Sequence, residues 1–93
     1  MALTQHTKEC LRFGVGNIAA GSNLATVINA GSGTVAQGSK DAFDNACGNR
    51  DVGKGLTTKF GANTALAAND AWRIAVACGS YTAALDIKTA QAT

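Results

Sequence analysis

Three stretches of this chain bring together residue types capable of chemistry. The first is Gly48-Asn49-Arg50-Asp51-Val52-Gly53-Lys54-Gly55, which comes one residue short of a phosphate-binding loop. Such a loop needs glycines to turn backbone N–H groups toward a phosphate, a lysine for charge, and a Ser or Thr hydroxyl for magnesium. Gly55 stands where the hydroxyl belongs, and an amphipathic segment precedes the loop in place of a strand. The second stretch holds His6 and Cys10, one helical turn apart, where an imidazole could draw a proton from a thiol. The sequence offers them no orienting third group and no oxyanion hole. The third is the carboxylate pair Asp41 and Asp44, on one helical face, with Lys40 beside them and no apolar pocket to raise a pKa. Gly14-Val15-Gly16 is too short for a dinucleotide fingerprint. The expectation is therefore no catalytic residue, no cofactor site and no enzyme.

The elements that carry these residues read as helices. Proline is absent, and alanine makes up roughly a fifth of the chain, well above its common usage. Leu11 and Val15, Leu24 and Ile28, Phe43 and Cys47, Leu56 and Phe60, and Trp72 and Val76 are all i, i+4 pairs, which share a helix face. Period-2 alternation is not sustained anywhere. Thr4 suits the N-cap of a helix ending near Val15, and Gly16-Asn17 suits its left-handed end. A second helix from about Ala19 to Ala30 has to cross Gly21-Ser22-Asn23, where propensity alone would break it. Thr34 and Gln37 have capping-box spacing for a third helix that ends at Gly48-Asn49. A fourth is expected over about Arg50 to Phe60, a fifth over about Leu66 to Cys78, and a sixth over about Tyr81 to Thr89. Glu9 and Asp41 fall near helix starts, where they would complement the dipole.

These six helices recur as three hairpins. Lys8 to Leu24 lie on Lys40 to Leu56 with one constant offset, pairing Leu11 with Phe43, Val15 with Cys47, and Gly16-Asn17 with Gly48-Asn49. A slightly shorter offset lays Asp41, Phe43, Ala46, Cys47, Val52 and Leu56 on Asp70, Trp72, Ala75, Val76, Tyr81 and Leu85. Repeats of this size usually mark a unit that cannot bury its apolar face alone. The expected fold is all-α, a small bundle or stack of about six short helices in three helical-hairpin repeats, over about residues 3–33, 34–64 and 65–93 of one domain. The expected core is Leu11, Val15, Leu24, Ile28, Phe43, Cys47, Val52, Leu56, Phe60, Trp72, Val76, Tyr81 and Leu85, with Trp72 and Tyr81 also candidate interface anchors. Gly14, Ala46 and Ala75 occupy matching positions that suit close helix approach.

Composition narrows the function classes. The 93 residues suit one small domain, and aromatics are only 5% of them, so the core is thin and assembly or docking is expected to add stability. Eight Lys and Arg against six Asp and Glu leave a formal charge of +2, scattered along the chain, whereas nucleic-acid binders concentrate basic charge on one face. Cys10, Cys47 and Cys78 form no CxxC pair and match no metal-ligand pattern, which points to a reducing compartment and no disulfide framework. The amino terminus lacks signal-peptide character, and no apolar run reaches membrane-spanning length.

The cycle of Leu3-Thr4, Thr7-Lys8-Glu9, Gly16-Asn17, Asn29-Ala30-Gly31-Ser32-Gly33-Thr34-Val35 and Ser39-Lys40-Asp41 resembles short repetitive Gly/Ala-rich helical proteins encoded among tailed-bacteriophage virion structural genes. The third unit departs from that cycle, with Asn69 in place of the lysine and no glycine-rich closing link. The resemblance implies a virion component, folded in the host cytoplasm, whose partners are other virion proteins or copies of itself. It implies no catalytic, metal or small-molecule residues. A capsid accessory or cement role acting through protein–protein contacts is the first expectation. A helical regulatory or nucleic-acid-binding module, with Arg50, Lys54 and Lys59 as its basic patch, is the alternative.

Overall fold

The computed structural model describes residues 3–91, apart from the side chain of Arg50. Six helices follow in order: α1 (Gln5–Gly14), α2 (Ile18–Ala30), α3 (Gln37–Cys47), α4 (Arg50–Ala62), α5 (Ala68–Cys78) and α6 (Tyr81–Ala90). Among the described residues there is no strand.

The same turn chemistry closes each hairpin. Gly16, Gly48 and Gly79 follow α1, α3 and α5 with φ of 80°, 73° and 71°, a left-handed geometry that a Cβ would strain. The next residue then caps the following helix. Asn17 accepts from the Ala20 N–H at 3.0 Å, Asn49 from Val52 at 3.1 Å, and Ser80 from Ala83 at 3.1 Å. The near-phosphate-loop sequence is thus a helix end and a helix start. Gly48 ends α3, and the Gly53 N–H already bonds to the Asn49 carbonyl at 3.0 Å.

Several boundaries differ from the sequence expectation. Thr34 and Gln37 form no capping box: α3 begins after Ala36, because Val35 is buried and lies on the chain entering the helix. Leu3 and Leu66 sit buried at the equivalent entries to α1 and α5, so α5 starts at Ala68, beyond the expected Leu66. Glu9 and Asp41 fall in the second turn of their helices, too far in to meet the dipole. Each accepts instead from a glutamine one turn earlier, Gln5 at 3.4 Å and Gln37 at 3.1 Å. Helix α2 runs unbroken through Gly21-Ser22-Asn23. Gly21 is there for packing: a Cβ on it would come inside 3.0 Å of the Leu11 carbonyl and the Arg12 backbone of α1.

The three hairpins close on one another. Helix α2 packs on α3, α3 on α5, and the third hairpin returns to the first through α1 with α5 and α6. Extents of 27 × 25 × 23 Å make this a rounded bundle, not an extended stack. Equivalent hydrogen bonds mark the seams. The Ala36 N–H donates to Asn23 Oδ1 at 3.0 Å between the first and second hairpins, and the Thr4 N–H donates to Asp86 Oδ2 at 3.0 Å between the third and first. At the remaining seam the equivalent residue is Gly55, which has no side chain. There Asp70 accepts from the Ala67 N–H at 2.9 Å and from Lys59 at 2.6 Å. Gln91 adds Nε2 bonds to the Lys59 and Thr64 carbonyls at 3.0 and 3.1 Å. The companions each hairpin needs are the other two hairpins of the same chain.

This closure corrects the register of the third repeat. The turn residues Asn17, Asn49 and Ser80 are equivalent, which places Leu11, Phe43 and Ile74 together, all fully buried, and Leu24, Leu56 and Ile87 together, also buried. Ile74, not Trp72, is the third member of the first set. Burying each such side chain contributes about 1.5–3 kcal/mol. Val15, Ile28 and Phe60 are buried as expected, with Phe43 and Phe60 edge to face at 5.4 Å, while Cys47 and Val52 are half-buried against the core. Trp72, Val76, Tyr81 and Leu85 are not core residues: they are 60%, 67%, 42% and 41% exposed. In their place α5 and α6 bury Ala71, Ile74, Ala77, Cys78, Ala83, Ala84 and Ile87. Similarly, Ala77 rather than Ala75 is the small residue equivalent to Gly14 and Ala46.

Candidate interaction surface

The four exposed apolar residues of the third hairpin share one outward face. Trp72 and Val76 lie one turn apart on α5, and Tyr81 and Leu85 one turn apart on α6. After Gly79 and Ser80 reverse the chain, Tyr81 comes back against Trp72. The two rings stack with centroids 4.3 Å apart and planes within 20°. A stacked pair of this kind is worth about 0.5–1.5 kcal/mol beyond area burial, so the platform is ordered without a core around it.

The other two hairpins act as internal controls. At the positions of Trp72, Val76, Tyr81 and Leu85 the second hairpin has Asp41, Asn45, Arg50 and Lys54, and the first has Glu9, Phe13, Ile18 and Ser22. A polar residue at each of these positions is therefore compatible with the hairpin. Phe13 and Ile18, 66% and 59% exposed, leave the first hairpin with half an apolar face. Its outward groove, of about 310 Å³, is lined by Lys8, Arg12, Ser22, Thr26 and Asn29 among others, and Arg12 Nε donates to Ser22 Oγ at 3.2 Å.

The charges on the third hairpin divide by direction. Asp70 and Asp86 are the only acids of α5 and α6, and both turn toward neighbouring hairpins. Burial pushes the Asp86 carboxyl up, but the Thr7 hydroxyl at 2.7 Å and the Thr4 N–H hold it below its ordinary value. Burial likewise opposes ionisation of Asp70, and the Lys59 ammonium and the Ala67 N–H outweigh it. Arg73 is exposed and Lys88 half-exposed. Arg73 lines the groove between the second and third hairpins together with Asp51, Lys59 and Asp70.

The residues singled out for chemistry are placed as follows. His6 and Cys10 do meet, with Nε2 3.6 Å from Sγ, and the same Nε2 lies 3.3 Å from Ser80 Oγ. The Ser80 hydroxyl also caps α6, so this contact belongs to the seam between the first and third hairpins. Burial pushes the Cys78 thiol up to about 12 and the Cys47 thiol up to about 11. Asp44 is buried on α3 beneath Gly53, whereas Asp41 is half-buried. Lys59 is held by Asp70, so Arg50, Lys54 and Lys59 do not present three free cations together, and the side chain of Arg50 lies outside the described residues. Among the described residues no three metal-ligating side chains cluster, and no helix is long and apolar enough to cross a membrane.

Compared with protein families, curated proteins and solved structures, the chain has no significant match, so the case for its role rests on its own residues and on this apolar face.

Proposed function

We propose that this chain is a small structural subunit of a bacteriophage particle, a capsid accessory, cement or other minor virion component that acts through protein–protein contacts. The observation that carries the reading is the outward face of the third hairpin, where Trp72, Val76, Tyr81 and Leu85 are exposed at positions the second hairpin fills with polar residues. Aromatic side chains are favoured anchors in interfaces. A patch of four residues holds a partner weakly on its own. Many copies on a lattice convert weak contacts into stable attachment by raising the effective concentration of neighbours. The turn and cap cycle that resembles phage structural proteins supports the virion context.

The test is co-expression of the chain with the structural genes that flank it, followed by sedimentation of the assembled particles. The chain should travel with the particles in many copies per particle. A chain that stays entirely in the supernatant, at any ionic strength tried, would count against the reading.

A further inference from the structure

We infer that the groove between α1 and α2 of the first hairpin binds a phosphate group, as the free ion or as the terminal phosphate of a small monoester. The site goes beyond the particle reading and does not depend on it. Lys8 and Arg12 are the recognising cations, with Ser22 and Asn29 as neutral donors. No sequence motif marks these residues; the packing of α1 on α2 brings them together.

The groove has a fixed frame. Gly21 lies so close to the Leu11 carbonyl and the Arg12 backbone that the two helices meet without room for a Cβ. The next residue, Ser22, accepts from Arg12 Nε at 3.2 Å, which orients the guanidinium and leaves its two outer nitrogens to donate. Lys8 lies one turn before Arg12 on α1 and lines the same space of about 310 Å³, as does the buried Ala25. Both cations are half-buried, and neither has an acidic partner among the described residues. The only acid of residues 3–33 is Glu9, which accepts from Gln5 at 3.4 Å and does not line the groove.

The neutral groups add donors. Asn29 Oδ1 already accepts from the Leu3 N–H at 2.7 Å, and Ser22 Oγ from Arg12, so an amide NH₂ and a hydroxyl proton remain for a ligand. Thr26 spends its own proton on the Ser22 carbonyl at 2.9 Å. Two positive charges and this excess of donors match a phosphate, which carries about −1.5 to −2 charge at pH 7 and three acceptor oxygens. A carboxylate brings less charge and fewer oxygens.

The fold does not require this arrangement. At the position of Arg12 the second hairpin has Asp44, whose carboxylate shares a groove of about 180 Å³ with Lys40 and Lys54, so an internal acid answers the lysines there. The third hairpin has Ala71, Ala75 and Leu85 at the positions of Lys8, Arg12 and Ser22. The first hairpin alone gathers two cations in this groove without an acid.

The test is a titration of the ¹⁵N-labelled full chain, at constant ionic strength, with inorganic phosphate, ribose 5-phosphate and acetate. We expect saturable shifts at the Arg12, Ser22 and Asn29 amides, with at least one of the phosphates binding about tenfold or more tighter than acetate. Tighter binding of ribose 5-phosphate than of phosphate would assign a monoester, and equal binding the free ion; either supports the site. Arg12→Asp, which borrows the residue of the second hairpin, should abolish saturation, and Lys8→Gln should weaken binding about fivefold or more, with helical circular dichroism unchanged. If Arg12→Asp does not fold, Lys8→Gln decides. Lys40→Gln should bind as wild type does. No saturation below about 10 mM, acetate binding as tight as phosphate, undiminished binding by Lys8→Gln or by folded Arg12→Asp, or shifts centred on Lys40 and Lys54 would overturn the proposal. Shifts with duplex DNA but with neither phosphate compound would overturn it in favour of a nucleic-acid backbone.

Discussion

Replacing Gly21 and Gly55 by alanine makes one chemical change at two mid-helix positions, and the structure assigns the two changes opposite signs. Both should gain about 1 kcal/mol from helix propensity, since glycine loses more backbone freedom than alanine on folding. At Gly55 nothing lies within 4 Å of the added Cβ, so the gain stands. At Gly21 the Cβ would come inside 3.0 Å of the Leu11 carbonyl oxygen and of the Arg12 backbone. These are backbone atoms in the middle of α1, and no rotamer change can move them aside. Helices α1 and α2 must separate by on the order of 1 Å to restore ordinary contact, and Leu11 and Leu24, both fully buried between them, lose packing as they do. Overpacking of this kind typically costs about 1–3 kcal/mol, and a backbone clash belongs at the upper end.

The net expectation is a loss of about 2 kcal/mol for Gly21→Ala and a gain of about 0.5–1 kcal/mol for Gly55→Ala. At about 4–8 °C per kcal/mol for a domain of this size, the two variants should melt at clearly different temperatures on either side of wild type. The assay is thermal and urea unfolding, each followed by circular dichroism at the helix band and by Trp72 fluorescence. Coincident transitions would show that the three hairpins unfold together. If Gly21→Ala stabilises the chain as much as Gly55→Ala does, the close approach of α1 and α2 is wrong, and with it the explanation of why a glycine interrupts α2.

Ile74→Ala should cost about 2–4 kcal/mol, whereas Val76→Asn two residues later should stay within about 0.5 kcal/mol of wild type; equal losses would return Val76 to the core. Asp70 and Asp86 sit below their ordinary value of 3.8 in the folded chain, so the stability they add is complete above that value and is lost as pH falls through the folded values. Acid titration followed by circular dichroism should show this loss, and Asp86→Asn should flatten it; an unchanged titration would remove the Thr4 and Thr7 bonds from the seam. With thiols pushed up to about 11 at Cys47 and about 12 at Cys78, native alkylation near pH 8 should reach Cys10 first. Peptide mapping that finds Cys78 modified before Cys10 in the folded chain would contradict its burial.

Much of the architecture was legible because glycine and cap chemistry is local. Gly16-Asn17, Gly48-Asn49 and Gly79-Ser80 each announce a helix end followed by a helix start, and the structure uses all three in that way. The register of the third hairpin was not legible from side-chain likeness. Matching Phe43 to Trp72 and Asp41 to Asp70 aligns bulk and charge but slips the repeat by two residues. The turn residues alone would have put Ile74 under Phe43. That slip moved the expected core of α5 and α6 onto the solvent face, since a two-residue shift turns a helix through more than half a circle. Leu3, Val35 and Leu66 were missed because each lies just outside a helix, where periodicity has no purchase, and burial there depends on the chain entering the bundle. The seams were beyond local reading altogether: Asp86 and Thr4 meet across nearly the whole chain.

The repeat separates two demands that a single domain usually mixes. Positions that face inward keep one character in all three hairpins: Leu11, Phe43 and Ile74 in one layer, Leu24, Leu56 and Ile87 in the next. Positions that face outward are free to differ, because closing the set of three hairpins already completes the core. An open array of repeats needs special terminal units to cover its ends, but a closed set has no ends, so an apolar outward face here is not an unfinished core waiting for more repeats. The first hairpin, with Phe13 and Ile18, and the second, with Asn45 and Lys54, show that folding accepts apolar and polar residues alike at these sites. The third is the most apolar of the three, with two stacked rings and two aliphatic side chains exposed. Beyond the stacking of the two rings, such exposure adds little to folding in the isolated chain and carries a solubility cost. The proposed docking of a partner at this face would account for why the chain keeps it.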